Sequence, residues 1–104
     1  MTEAARPAEF TVEVAGATTV VTARGELDLA VREELATLLE PLRDLVVVDL
    51  VGVTFIDSSC IGALAGAATR LRAEGGDLRL QAPGAAPRLV LEMTGLGDWI
   101  DDPD

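Results

Sequence analysis

Asp57-Ser58-Ser59-Cys60 sets a carboxylate, two hydroxyls and a thiol in consecutive positions. The cluster lies between the β-branched run that ends in Phe55-Ile56 and a run of small residues. Three kinds of chemistry fit it. Asp57 or Ser58 can cap a helix, one of the groups can act as a nucleophile, or a hydroxyl can accept a modification made by another protein.

Nucleophilic chemistry fails on specific absences. The chain contains no His, so Ser58 has no imidazole base, and no Lys, which a phosphoaspartate receiver would need. A phosphatase that forms an aspartyl phosphate wants a second Asp two positions after Asp57, where Ser59 stands. A cysteine phosphatase wants Arg six positions after Cys60, where Gly66 stands. The acidic residues are scattered rather than spaced as a metal cluster. The expectation is a protein that is not an enzyme and holds no cofactor or metal. An enzyme acting through Asp57 and Ser58 directly is the competing hypothesis, and turnover by the purified chain would be its sign.

Charge narrows the partners. A net charge of −10, with every cation an Arg, repels phosphate backbones and argues against direct nucleic-acid binding. No apolar run is long enough to insert in a membrane, the N-terminus lacks a signal-peptide core, and the lone Cys60 forms no internal disulfide. These features predict a cytoplasmic protein.

The elements that must position the cluster are legible from periodicity. A length of 104 residues suits one domain. Residues 1–8 read as a flexible leader, 9–100 as the folded unit and 101–104 as an acidic tail. Phe10, Val12 and Val14 alternate with Thr11 and Glu13, which predicts a strand with one buried face. Ala15-Gly16-Ala17 turns it into a second strand over 18–24, as an antiparallel hairpin. Asp28 can cap a helix through Val31, Leu35 and Leu38 that ends before Pro41. Residues 45–50, apolar except for Asp49, read as a central strand covered on both sides.

A helix from about Ser59 to Glu74 follows, with Ile61, Leu64, Ala68 and Leu71 inward and Gly75-Gly76 as its stop. Residues 77–81 form a strand, residues 83–87 open a third helix that runs through Arg88 to Met93 and is closed by Gly95, and residues 98–100 make a last short strand. The predicted order is β-β-α-β-α-β-α-β. It describes a single α/β domain whose mixed, mostly parallel sheet has one antiparallel edge strand. Asp57-Ser58-Ser59 then lies at the C-terminal rim of the parallel strands, where ligands tend to bind. The small residues Cys60, Gly62, Ala63, Gly66 and Ala67 cannot all face inward at helical spacing. Those left outside would form a flat surface suited to a protein partner.

The segment from Val46 to Leu80, with Gly25-Glu26-Leu27-Asp28 upstream and residues 88–100 downstream, resembles the STAS domain of anti-sigma factor antagonists. The likeness runs from about Phe10 to Ile100. It implies a partner switch. The unmodified antagonist, a monomer when free, binds an anti-sigma factor that is a serine kinase of the GHKL type, and a sigma factor is released. Phosphorylation of the Ser after the Asp reverses this, and a PP2C-type phosphatase restores the first state.

Carried over by position, Ser58 is the phosphoacceptor. Asp28, Asp57, Ser59, Cys60, Ile61, Gly62, Ala63 and Gly66 belong to the partner-binding surface. Cys60 stands where the family usually has Gly. It is read here as a small apolar substitute; the sharper alternative is a thiol of lowered pKa that makes the switch redox-sensitive. A STAS module can also act as a scaffold in a stress-signalling complex or as the cytosolic subunit of a lipid-transport ATPase, which is the alternative function.

Overall fold

The hairpin is set by Gly16, whose φ of +63° permits the two-residue turn between β1 (Glu9–Ala15) and β2 (Thr18–Leu27). The computed structural model describes residues 8–101. After β2 come a 3-10 turn (Leu29–Val31), α1 (Arg32–Leu39), β3 (Leu45–Ile56), α2 (Ser58–Ala73), β4 (Asp77–Gln81), α3 (Ala85–Met93), a second 3-10 turn (Gly97–Trp99) and β5 (Ile100–Asp101). The sheet runs in chain order from β1 to β5, with β1 antiparallel and the other neighbours parallel. This is the predicted class and order.

One face of the sheet is closed. Val21, Val48 and Leu80 form a row across three strands, with Val46 and Leu78 beside them, and all five are fully buried. Ile61, Leu64, Ala68 and Leu71 of α2 and Leu35 and Leu39 of α1 enter the same core. The other face is more open: Leu45, Val47 and Asp49 are only half-buried, so β3 is not covered equally on both sides. β1 departs further from expectation. Phe10 packs on the core, but Val12 and Val14 are exposed, because β1 is an edge strand bonded only to β2.

β2 and β3 are both longer than their periodicity predicted. Ten residues of β2 run beside twelve of β3, through register shifts between Thr22 and Arg24 and between Gly25 and Glu26. Such bulges break the two-residue alternation, so Val53 and Ile56 reach the core at irregular spacing. Asp49, the polar residue of the apolar run, accepts the Val51 N–H at 3.0 Å, and Thr54 donates to the Gly25 carbonyl at 3.4 Å.

α1 and α2 lie side by side and parallel. Arg70, near the end of α2, donates to the Leu39 and Leu42 carbonyls at 2.9 and 3.1 Å, and so satisfies the last groups of α1. Both α2 and α3 end on a glycine of positive φ, Gly75 and Gly95, with the next residue donating back to Leu71 and Leu91. α3 begins at Ala85, within the segment expected to open it, and buries Pro87 in its first turn. β5 takes in Asp101, placed in the acidic tail by sequence, because Arg79 binds its carboxylate at 2.7 Å. Residues 1–7 of the expected leader and 102–104 of the tail lie outside the described residues; Ala8 packs on the core.

Gly76 touches the Asp44 backbone so closely that any Cβ there would overlap the Asp44 carbonyl, which also accepts the Asp77 N–H at 3.0 Å. Gly76→Ala is therefore expected to destabilise the domain by about 2–4 kcal/mol, read from the midpoint of urea unfolding. Gly16→Ala, with open space but a positive φ, should cost only about 1 kcal/mol.

Candidate functional site

Leu27 and Ile56 are register partners, so the residues that follow them, Asp28 and Asp57, emerge together at the C-terminal rim of β2 and β3. Each caps a helical segment. Asp28 accepts the Ala30 N–H at 3.0 Å at the start of the 3-10 turn. Asp57 caps α2, its Oδ1 accepting the N–H groups of Ser59 at 3.0 Å and Cys60 at 3.2 Å. Two further bonds join the caps across the rim: Asp57 N–H to the Leu27 carbonyl at 3.0 Å, and the Cys60 thiol to the Asp28 carbonyl at 3.3 Å.

The two serines are not equivalent. Ser59 donates its hydroxyl to Asp57 at 2.6 Å, a short charge-assisted bond. Ser58 is the first residue of α2, is exposed, and its hydroxyl has no hydrogen-bond partner among the described residues. Asp57, rather than Ser58, is thus the cap. The Ser59 hydroxyl, helped by the backbone N–H groups of Cys60, Ser59 and Leu29, holds the Asp57 carboxyl below the ordinary carboxylate range; partial burial opposes them. One uncommitted hydroxyl therefore stands beside a fixed negative charge.

Cys60 takes an ordinary helical backbone, and positive φ among the described non-glycine residues is confined to Asp44 and Ala82. Its thiol is fully buried, and burial, with the Asp57 charge, pushes its pKa up to about 11. Burial and the raised pKa argue against a redox-sensitive thiolate and agree with the reading as a small apolar substitute. Ile61 is buried as well, so these two of the expected partner contacts face the core and not a partner. Gly62 and Gly66 are exposed one turn apart, and a Cβ at either would meet nothing within 4 Å. Ala63 is half-buried beside them, in a groove between α2 and α1 that Arg32 and Ala36 also line.

Comparison with known proteins places this geometry. The family model described as "Mlab, STAS domain" matches residues 10–101. An anti-sigma F factor antagonist from Lysinibacillus sphaericus is 31% identical over 90 residues, covering 82% of this chain and 77% of that one. The chain belongs to the STAS family of anti-sigma factor antagonists. The STAS domain also superposes on the anti-sigma factor antagonist SpoIIAA in its unphosphorylated form, with a TM-score of 0.77 at 27% identity over 92% of this chain and 89% of that one. The phosphorylated form of Bacillus SpoIIAA, at 28% identity and 92% of each chain, gives a TM-score of 0.69. An anti-sigma factor antagonist from Mycobacterium paratuberculosis gives 0.74 at 26% identity, over 92% of this chain and 85% of that one.

Sequence reasoning passed over three residues near this rim of the STAS domain. Leu29 and Phe55 are large apolar side chains that remain 71% and 48% exposed, one following Asp28 and the other two residues before Asp57. Arg32, also exposed, makes no hydrogen bond or ion pair with a described residue. The signal for Leu29 was its place between the cap Asp28 and the inward Val31. Phe55 was masked by the bulges, which spoil the alternation that would have marked it as outward.

Asp57→Ala removes the cap of α2 and is expected to cost about 1–2 kcal/mol at pH 7. A carboxyl depressed in the folded state stabilises above its unfolded pKa of about 4 and loses that contribution as pH falls through the folded value. The stability difference between wild type and Asp57→Ala should therefore shrink below pH 4, which urea titrations from pH 7 to 3 would follow.

Proposed function

We propose that this antagonist binds, in its unmodified state, an anti-sigma factor that is a GHKL-type serine kinase, and that phosphorylation of Ser58 ends the binding. The observation that carries the reading is the contrast between the serines. Ser58 offers a free, exposed hydroxyl, whereas Ser59 has its proton engaged by Asp57. In the transfer, Ser58 Oγ takes the γ-phosphoryl group of ATP and loses its proton, and ADP leaves. A PP2C-type phosphatase returns the hydroxyl by hydrolysis and releases inorganic phosphate.

The surroundings suit such an exchange. Leu29 and Phe55 supply exposed apolar area near the hydroxyl, as the centre of an interface requires. Asp28, Asp57 and Ser59 form its polar side, and Gly62, Ala63 and Gly66 let a partner approach the α2 backbone. The helix start tolerates a phosphate through the positive end of the helix dipole, the N–H groups of Ser59 and Cys60 being already held by Asp57. The same dianion set against a partner surface shaped for a neutral hydroxyl would weaken the complex by about 3 kcal/mol, over a hundredfold.

The test is capture from a lysate of the source bacterium with Ser58→Ala and Ser58→Glu baits, followed by affinity measurement on the kinase retained. A GHKL-type kinase held by Ser58→Ala and lost by Ser58→Glu, with Ser58 labelled in the wild-type chain on addition of ATP, is the expected result. Equal retention of scaffold or transporter components by both baits would replace this reading with the alternative function.

The exposed glycines give a second prediction. Neither has a packing reason within the domain, so Gly62→Ala with Gly66→Ala should stabilise the free protein by about 1–2 kcal/mol. The same pair of changes should weaken kinase binding at least tenfold. Unfolding and binding measured on one preparation would show whether the two effects part in this way.

A further inference from the structure

Positive charge is scarce in this chain, and most of it among the described residues is committed. Arg43, Arg70, Arg72, Arg79 and Arg88 are each tied to an acidic side chain. Arg24 and Arg32 have no such tie to a described residue. Arg24 lies on the open face of the sheet, where it lines a depression with Glu9 and Glu26. Arg32 opens α1 and lines the groove beside Gly62 and Ala63, residues of the turn of α2 that follows Ser58.

Direction adds to proximity. α1 and α2 run parallel, as the bonds from Arg70 to the end of α1 show. Side chains on a helix lean toward its N-terminus, so the arm of Arg32 leans toward the rim that carries Ser58. Its positive charge is felt at the buried Cys60 thiol, two residues after Ser58. The charged groups at the two caps beside Ser58, Asp28 and Asp57, are both acidic. A phosphate on Ser58 would raise this crowding steeply, and Arg32 is the cation placed to offset it.

We infer that Arg32 is the internal receptor for the phosphoryl group of phosphorylated Ser58. The inference rests on Ser58 being the modified residue, as proposed above. It makes the modification act twice on the surface. The dianion is added, and the free guanidinium beside the α1–α2 groove is engaged by it and withdrawn from any acidic group of the partner.

The test installs phosphoserine at position 58 during translation, so that no kinase is needed, and follows its phosphorus-31 resonance against pH in 0.15 M salt. Phosphoserine ordinarily loses its second proton near pH 6. An adjacent guanidinium favours the dianion, so the wild-type midpoint should lie roughly half a pH unit or more below that of Arg32→Gln. Arg32→Lys should fall between them, and Arg24→Gln should match wild type.

Equal midpoints in wild type and Arg32→Gln would overturn the inference. So would an equal displacement by Arg24→Gln, which would mark a general effect of net charge. If no kinase modifies Ser58, the phosphorylation reading fails while the titration still reports on Arg32, so the two failures remain distinct.

Discussion

The rim depends on how β2 and β3 come into register. The strands start as partners at Thr18 and Leu45 and finish as partners at Leu27 and Ile56, although β3 has two residues more to accommodate. Two bulges absorb the difference. Without them Leu27 and Ile56 would not finish level, and their followers Asp28 and Asp57 would not share a rim. The bulges free backbone groups, and local polar side chains take them up: Asp49 holds the Val51 N–H and Thr54 reaches the Gly25 carbonyl. An acidic residue in an apolar strand thus helps to place a site seven residues or more beyond it.

From that rim the helix start is built with little freedom. Asp57 is tied below to Leu27 through its backbone and above to Ser59 and Cys60 through its side chain. Those bonds satisfy donors that every helix leaves open, and the third, from the Ser59 hydroxyl, takes that serine out of play. Ser58 is left as the exposed member because it falls between the cap and the residues the cap binds. Selecting one of two adjacent serines needs no more than this local geometry. The buried Cys60 completes the base by bonding to Asp28, which joins the two capped segments under the exposed hydroxyl.

Much of the fold was legible because its signals are local. The hairpin at Gly16, the stops at Gly75 and Gly95, and the inward series Ile61, Leu64, Ala68 and Leu71 need only turn chemistry and a 3.6-residue period. The misread parts have non-local causes. Val12 and Val14 alternate like core residues, yet their strand is at the edge, and alternation does not say how far a layer of helices extends. The end of β3 was lost because bulges break the alternation itself. At the site, Asp57 and Ser58 were legible from type and spacing, but the division of labour between the serines was not. That division is decided by the cap, and a sequence shows two candidates for it. Cys60 was read from the sequence as a small apolar residue, and its full burial agrees.

The exposed face of α2 shows a conflict between stability and use. Gly62 and Gly66 sit inside a sixteen-residue helix, where glycine is the poorest former after proline, and neither has a neighbour within 4 Å that a methyl group would disturb. Nothing in the fold of the domain favours glycine at either place. The inward side of the same helix is buried through Leu64, Ala68 and Leu71, so the weakness is confined to the surface side. A helix that is firm toward the core and bare toward solvent keeps its backbone close to whatever docks there. The firm side also fixes Ser58 in place, because the residue that begins the helix moves only as the helix moves. On the proposed reading, a phosphate added at that point would change charge and bulk on the outer surface and leave the bonds of the capped base beneath it in place. Such a switch would be local and would need no relay through the core.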